Sequence, residues 1–228
     1  MAVGTKLTLA DSNPYENVAL YKSTIGALQY LILSRLDIAF SVNKLSQFLK
    51  ALIQQHWQAC KRLLRYLKGT LNFGLHFTKS NRLNLECYTD VDWVGSLEDR
   101  RSTNSCCVFL GSNLIQWTFR KQKVVALSFT EVDRELLLKR LQSWHVIWCD
   151  NQSAGSLASN LVFHGRIKHI ELDTHYVREQ VTSNNLKVQY VPTEYQKADI
   201  FTKALSVSKF VELRDKLTVK ASASTPVQ

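Results

Sequence analysis

The chain has 228 residues, 45% of them hydrophobic and 21% charged, which excludes a disordered chain and allows one complete core plus a smaller one. Its 29 Lys and Arg against 19 Asp and Glu leave a net charge of +10, the balance of a protein with a polyanionic partner. Five cysteines (Cys60, Cys87, Cys106, Cys107 and Cys149) contain no Cys-x-x-Cys pair, so they read as small buried hydrophobes in a reducing compartment rather than as a disulfide framework.

No run approaches the roughly eighteen apolar residues that span a bilayer. Residues 1–22 hold no unbroken apolar stretch of the signal-peptide kind. The expectation is an intracellular, soluble protein with no membrane partner.

Residues 14–69 read as helices. Pro14 lies near a start, and Val18, Leu20, Ile25, Leu28 and Leu31 recur at helical spacing. A second helix is expected around 38–49. A third spans Gln54–Gly69, with Trp57, Cys60, Leu64 and Leu67 as its apolar stripe and Gly69 placed to end it. Nothing here is expected to pair as sheet.

From Ile38 through Leu85 there are eight Lys or Arg and no Asp or Glu. Lys61, Arg65 and Lys68 share the polar face of the third helix and are candidate nucleic-acid contacts, because no interleaved acid is present to pair with them. The ordinary alternative is a solvated surface stripe.

Residues 71–127 change to strand signals at Leu75–Phe77, Leu83–Tyr88, Ser105–Leu110 and Ile115–Phe119, with Gly111-Ser112-Asn113 as a tight connection. From Thr130 the pattern alternates: a helix, strand Val146–Cys149, helices Ser153–Ser159 and Ile170–Val181, strand Leu186–Val191, and a helix over Ala198–Leu205. A meander followed by alternating units predicts an α+β or α/β domain: a mixed sheet with helices against it.

Four acids, Asp90, Glu131, Asp150 and Asp199, fall at expected strand ends or on a helix just after one. Each has an ordinary explanation. Ser128 and Glu131 form a capping-box pattern, Asp150 precedes Asn151-Gln152-Ser153 as a helix cap would, and Asp199 suits a first helical turn. Asp90 and Asp92 alternate onto the same face, so position alone does not choose between them. His145, His164, His169 and His175 lack zinc-site spacing, and Trp93, Trp117 and Trp148 read as core.

Several blocks carry a resemblance. Tyr21–Phe40 and HWQACKRLLRYLKGT look like the end of the reverse transcriptase in the Pol polyproteins of copia-type LTR retrotransposons. The blocks that follow resemble the ribonuclease H domain of the same polyprotein: Cys-Tyr-Thr-Asp90, Asp99-Arg100-Arg101-Ser102-Thr103, Gln116-Trp117, Phe129-Thr130-Glu131, Cys149-Asp150-Asn151-Gln152-Ser153-Ala154, Arg166-Ile-Lys168-His169 and Ala198-Asp199-Ile-Phe-Thr-Lys203. They run in the family's order over nearly the whole chain.

The resemblance implies a helical reverse transcriptase remnant over 1–80, a ribonuclease H-like domain with a mixed five-stranded sheet and flanking helices over 81–219 and a flexible tail over 220–228. It implies two-metal hydrolysis of the RNA strand of RNA–DNA hybrids, with two Mg²⁺ ions (Mn²⁺ as a substitute) held by Asp90, Glu131, Asp150 and Asp199. By the same likeness Asp90 bridges both ions, and Arg166 and Lys168 touch the hybrid backbone. Partners would be the hybrid and other Pol-derived segments, in a cytoplasmic virus-like particle or the nucleus.

Two departures accompany it. The paired-Asp motif of a polymerase site has no counterpart in this sequence, so polymerase activity is not expected. Only nineteen positions separate Glu131 from Asp150, roughly fifteen to twenty fewer than the family pattern, where a crossover with loops at both ends is needed. An inactive remnant that at most binds nucleic acid is therefore the alternative. An integrase would share the sheet order, but no His/Cys zinc module precedes the blocks.

Overall fold

The computed structural model describes residues 7, 13–49, 51–80, 84–92, 103–121, 145–150, 179 and 181–222. The chain forms two compact units, Met1–Phe77 with Lys203–Gln228, and Thr78–Thr202.

The first unit opens with α1 (Val18–Leu31), whose N-terminus is capped by Asn17 Oδ1 accepting from the Leu20 N–H at 3.0 Å. A 3₁₀ turn at Leu36–Ile38 leads into α2 (Ala39–Ser46), and α3 runs over Gln54–Gly69. Tyr21, Ile25 and Leu28 of α1 face Val42 and Leu45 of α2 in the core, and the Tyr21 hydroxyl donates to the Leu45 carbonyl at 2.8 Å. Burial of the ring is thus compatible with its polar tip.

The bounds of α3 are those expected, and so are Cys60 and Leu67 in its apolar stripe, but His56 and Leu63 take the places expected for Trp57 and Leu64. His56, Cys60, Leu63 and Leu67 are buried, with Leu63 8% exposed against 37% for Leu64. His56, which anchors the stripe, stacks on Phe48 with ring centroids 3.9 Å apart. The second helix is shorter than expected, and a bridge between Pro14 and Ile53 contradicts the absence of any sheet pairing there.

The strand expected at Leu75–Phe77 is instead β1 (Phe73–Leu75). It pairs antiparallel with β7 (Val219–Ala221) in a separate two-stranded sheet. Between them in sequence lies α5 (Val207–Lys216), a helix that the sequence reading omitted. Ser206 caps it by accepting from the Lys209 N–H at 3.3 Å, and Leu213 and Leu217 are fully buried, each contributing about 2 kcal/mol of apolar burial. Arg35, Asp37, Tyr66 and Thr70 make a buried polar knot in this unit. Arg35 grips Asp37 through Nε and Nη2 at 3.0 and 2.8 Å, and the Tyr66 hydroxyl donates to Asp37 Oδ2 at 2.6 Å.

The second unit is a five-stranded sheet in the order β4-β3-β2-β5-β6, built from β2 (Leu85–Asp92), β3 (Thr103–Leu110), β4 (Asn113–Lys121), β5 (His145–Cys149) and β6 (Leu186–Tyr190). β2, β3 and β4 pair antiparallel, and β2, β5 and β6 pair parallel. With α4 (Asp199–Thr202) against it, this is a mixed sheet of the kind that the strand pattern predicted.

Gly111 turns β3 into β4 at φ 60°, the left-handed conformation that glycine adopts without penalty in a two-residue connection. One face of the sheet is apolar, with Leu85, Cys106 and Val108 clustered against Cys87 and Leu110, and Ile147 and Leu186 against Val181. Asp90 and Tyr88 belong to the other face, because side chains alternate along β2.

The helices expected at 153–159 and over most of 170–181 lie outside the described residues, as does the helix that follows Thr130. Among the described residues no helix is long and apolar enough to cross a membrane.

Candidate metal centre

The site follows from strand register. β2 and β5 are parallel neighbours, paired from Leu85 with His145 to Thr89 with Cys149. The next residue of each strand is an aspartate, Asp90 and Asp150, so the two stand level where the strands, spaced about 4.8 Å apart, end their pairing. β2 is the middle strand of the sheet, and Asp90 is only 3% exposed.

A third carboxylate arrives from the loop after β6. Val191 continues the ladder by donating to the Cys149 carbonyl at 2.9 Å, a 3₁₀ turn at Thr193–Tyr195 reverses the chain, and α4 begins at Asp199, also 3% exposed. Two buried side chains fix this segment on the sheet. Gln196 Nε2 donates to the Thr89 carbonyl at 2.9 Å, and Ser105 Oγ donates to the Ala198 carbonyl at 3.2 Å. Phe201 of α4 stacks on Phe119 of β4, with planes 7° apart.

As a result Asp90, Asp150 and Asp199 offer carboxylate oxygens that all lie within 4.8 Å of one another. Three like charges this close repel unless a cation lies among them. Hard oxygen donors with no sulfur or imidazole suit Mg²⁺ or Mn²⁺ far better than zinc or copper. The donor set therefore fits a hard divalent ion.

Beside the carboxylates the sheet face is aromatic. Tyr88 stacks on Trp148 with centroids 6.1 Å apart, and Lys197 Nζ lies 3.9 Å from the Phe109 ring centroid and 4.3 Å from that of Tyr88. Burial, and after it the Glu86 carboxylate, pushes the Tyr88 phenol above its ordinary value, so it remains a neutral donor.

Of the other residues singled out from sequence, Lys61, Arg65 and Lys68 are exposed on α3, opposite its buried stripe. Glu131, Arg166, Lys168, His164, His169, His175 and Trp93 lie outside the described residues. Asp92 is the last residue of β2. Sequence reasoning missed Ser105, Gln196 and Thr202. Thr202 carried a faint signal: it stands three residues after Asp199, the spacing of one helical turn.

Two curated relatives match nearly the whole chain. The retrovirus-related Pol polyprotein from transposon RE1 of Arabidopsis thaliana is 40% identical over 236 positions, covering 96% of this chain and 16% of the polyprotein. That from transposon RE2 of the same plant is 42% identical over the same coverage. Over most of its length the chain is homologous to retrovirus-related Pol polyproteins from transposons.

It spans only 16% of the length of those two Pol polyproteins. The 236 matched positions against 96% of 228 residues, about 219, leave about 17 positions without a residue here. No protein-family model matches the chain. Among solved structures, an N-terminal RNase H domain from Mycobacterium tuberculosis, fused to maltose binding protein, is 10% identical with a TM-score of 0.39, covering 58% of this chain and 97% of that one.

Proposed function

We propose that the sheet unit is a ribonuclease H of copia-type retrotransposon origin that hydrolyses the RNA strand of RNA–DNA hybrids with two divalent ions, Mg²⁺ or Mn²⁺. The observation that carries this reading is the convergence of Asp90, Asp150 and Asp199 at the ends of β2 and β5 and the start of α4, on a sheet of ribonuclease H-like order. Homology to transposon Pol polyproteins supports it.

Asp90, Asp150 and Asp199 would hold the ions, with Glu131 as the fourth ligand and, by the family resemblance, Asp90 shared between the two. When bound, such ions activate a water for attack on the phosphodiester and stabilise the leaving oxygen. The protein's own contribution is position. Parallel register sets Asp90 against Asp150, and the Gln196 and Ser105 bonds hold the segment that presents Asp199. Lys61, Arg65 and Lys68 would bind the phosphate backbone without reading sequence, with Arg166 and Lys168 as further contacts. Residues 1–80 derive from the reverse transcriptase on this reading, and the natural setting is a Pol assembly.

The spacing of only nineteen positions from Glu131 to Asp150, where a crossover with loops at both ends is needed, favours a second reading, in which the chain binds nucleic acid but does not cleave it. A labelled RNA–DNA hybrid incubated with the purified protein over a range of Mg²⁺ and Mn²⁺ decides between the two. Metal-dependent loss of the RNA strand, abolished in Asp90→Asn, is the expected result. A folded protein that binds the hybrid and leaves it intact at every metal concentration establishes the second reading.

A further inference from the structure

Thr202 closes α4 and is 3% exposed. Its hydroxyl donates to Asp90 Oδ2, reaching from the helix to the middle strand of the sheet. The ordinary partner of a helical threonine is a carbonyl three or four residues back, and Asp199 O does lie 3.4 Å from Thr202 Oγ1. The carboxylate is the closer and the charged acceptor, so it takes the proton.

One turn of helix thus carries both a carboxylate of the cluster and the donor that grips another. Asp199 begins α4 and Thr202 ends it. The separation of Asp90 from Asp199 is therefore set within a single rigid turn as well as by the loop bonds of Gln196 and Ser105. An ionised carboxylate has about four lone-pair directions, so a hydroxyl on Oδ2 fixes the plane of the group while leaving other directions for cations.

We propose that Thr202 is a positioning residue for the metal site, its hydroxyl holding the Asp90 carboxylate in the orientation that binds the cation. This rests on the metal-site reading above and deepens it. Groups that orient a ligand from behind cost about 10- to 100-fold in metal affinity when removed. The β-branched side chain restricts χ1, which makes valine, with the same shape and no hydroxyl, the discriminating substitution.

The test is a Mn²⁺ titration of the full chain, with free Mn²⁺ followed by electron paramagnetic resonance, on the wild type, Thr202→Val, Thr202→Ser and Asp90→Asn. Folding of each is checked by metal-free thermal melts. Binding about 10- to 100-fold weaker in Thr202→Val, with Thr202→Ser close to wild type, is expected.

Wild-type affinity in a folded Thr202→Val overturns the proposal and leaves the metal site standing. Loss of affinity in Thr202→Ser also overturns it, because the methyl group and not the hydroxyl would then be what matters, and this arm decides the question if Thr202→Val does not fold. A wild type that binds no Mn²⁺ overturns both the proposal and the metal-site reading.

Discussion

Gln196 ties together the two residues that immediately precede two of the clustered carboxylates. Its Nε2 donates to the carbonyl of Thr89, the residue before Asp90, and its Oε1 accepts from the N–H of Ala198, the residue before Asp199, at 3.2 Å. With no exposed surface, this side chain has no water to replace either bond. Gln196→Leu strands both backbone groups and should lower the unfolding free energy by about 1–3 kcal/mol in urea melts. It should also weaken Mn²⁺ binding, because the Asp199 segment loses one of its ties to the sheet. Unchanged stability would mean that the loop finds other partners.

Removing one carboxylate from the cluster should have opposite effects with and without metal. In metal-free buffer Asp90→Asn, Asp150→Asn and Asp199→Asn each relieve repulsion among oxygens within 4.8 Å of one another, a gain on the order of 1 kcal/mol after screening. In millimolar Mg²⁺ the wild type should gain stability by mass action and the variants should not. The order of melting temperatures therefore inverts between EDTA and Mg²⁺. An order that is the same in both buffers would show that these groups hold no cation.

Much of the fold was legible because periodicity and punctuation agreed. Gln54–Gly69 combined an amphipathic pattern with a terminal glycine, and the hairpin around Gly111 combined alternation with a turn residue. Asp90 and Asp150 stood out through the family resemblance of the blocks that hold them, since position alone does not choose Asp90 over Asp92. Other features had no local signature. β1 pairs with β7 across almost the whole sheet domain, a contact that no window of sequence contains. Leu63 and Leu64 are adjacent leucines, and only the packed helix tells which one faces inward. Ser105, Gln196 and Thr202 act through side-chain hydrogen bonds to partners distant in sequence, which their residue types do not announce.

The exposed cations of α3 should act additively on nucleic-acid binding. Replacing Lys61, Arg65 and Lys68 together with Gln removes three charges from a face remote from the helix's buried stripe, so stability should change little. If all three contact phosphates, the slope of log affinity against log salt should become shallower by about 0.9 per contact. Binding to an RNA–DNA hybrid measured by fluorescence anisotropy from 50 to 200 mM salt reads this directly. An unaltered slope would return the stripe to ordinary solvated surface.

Asp37 should be the most damaging single substitution in the helical unit. Its side chain has no exposed surface, it receives two bonds from Arg35, and Tyr66 donates to the same oxygen that Arg35 Nη2 holds. Asp37→Ala leaves the Arg35 guanidinium buried with only Thr70 to accept from it, at 2.8 Å to both its carbonyl and its hydroxyl. Loss of one partner of a buried ion pair costs about 3–5 kcal/mol. Denaturant melts should show that loss, and Arg35→Met combined with Asp37→Leu should recover part of it, since the stranded charge is then gone.

Cys60 gives the helical unit an alkaline limit. The thiol has no exposed surface, and burial pushes its pKa up from 9.0 to about 11. Burial, and after it the Asp37 charge, pushes the Tyr66 phenol up to about 12 from 10.0. In both cases the folded state keeps a proton that the unfolded state gives up, so the unfolded state binds fewer protons across the interval. Stability is then fully present below pH 9 and falls as pH rises through 9–11 for Cys60 and 10–12 for Tyr66. Cys60→Ala should lose core packing at pH 8 yet show a shallower decline between pH 9 and 11, read from urea melts across that range. Parallel declines in the two proteins would mean that the Cys60 proton plays no part.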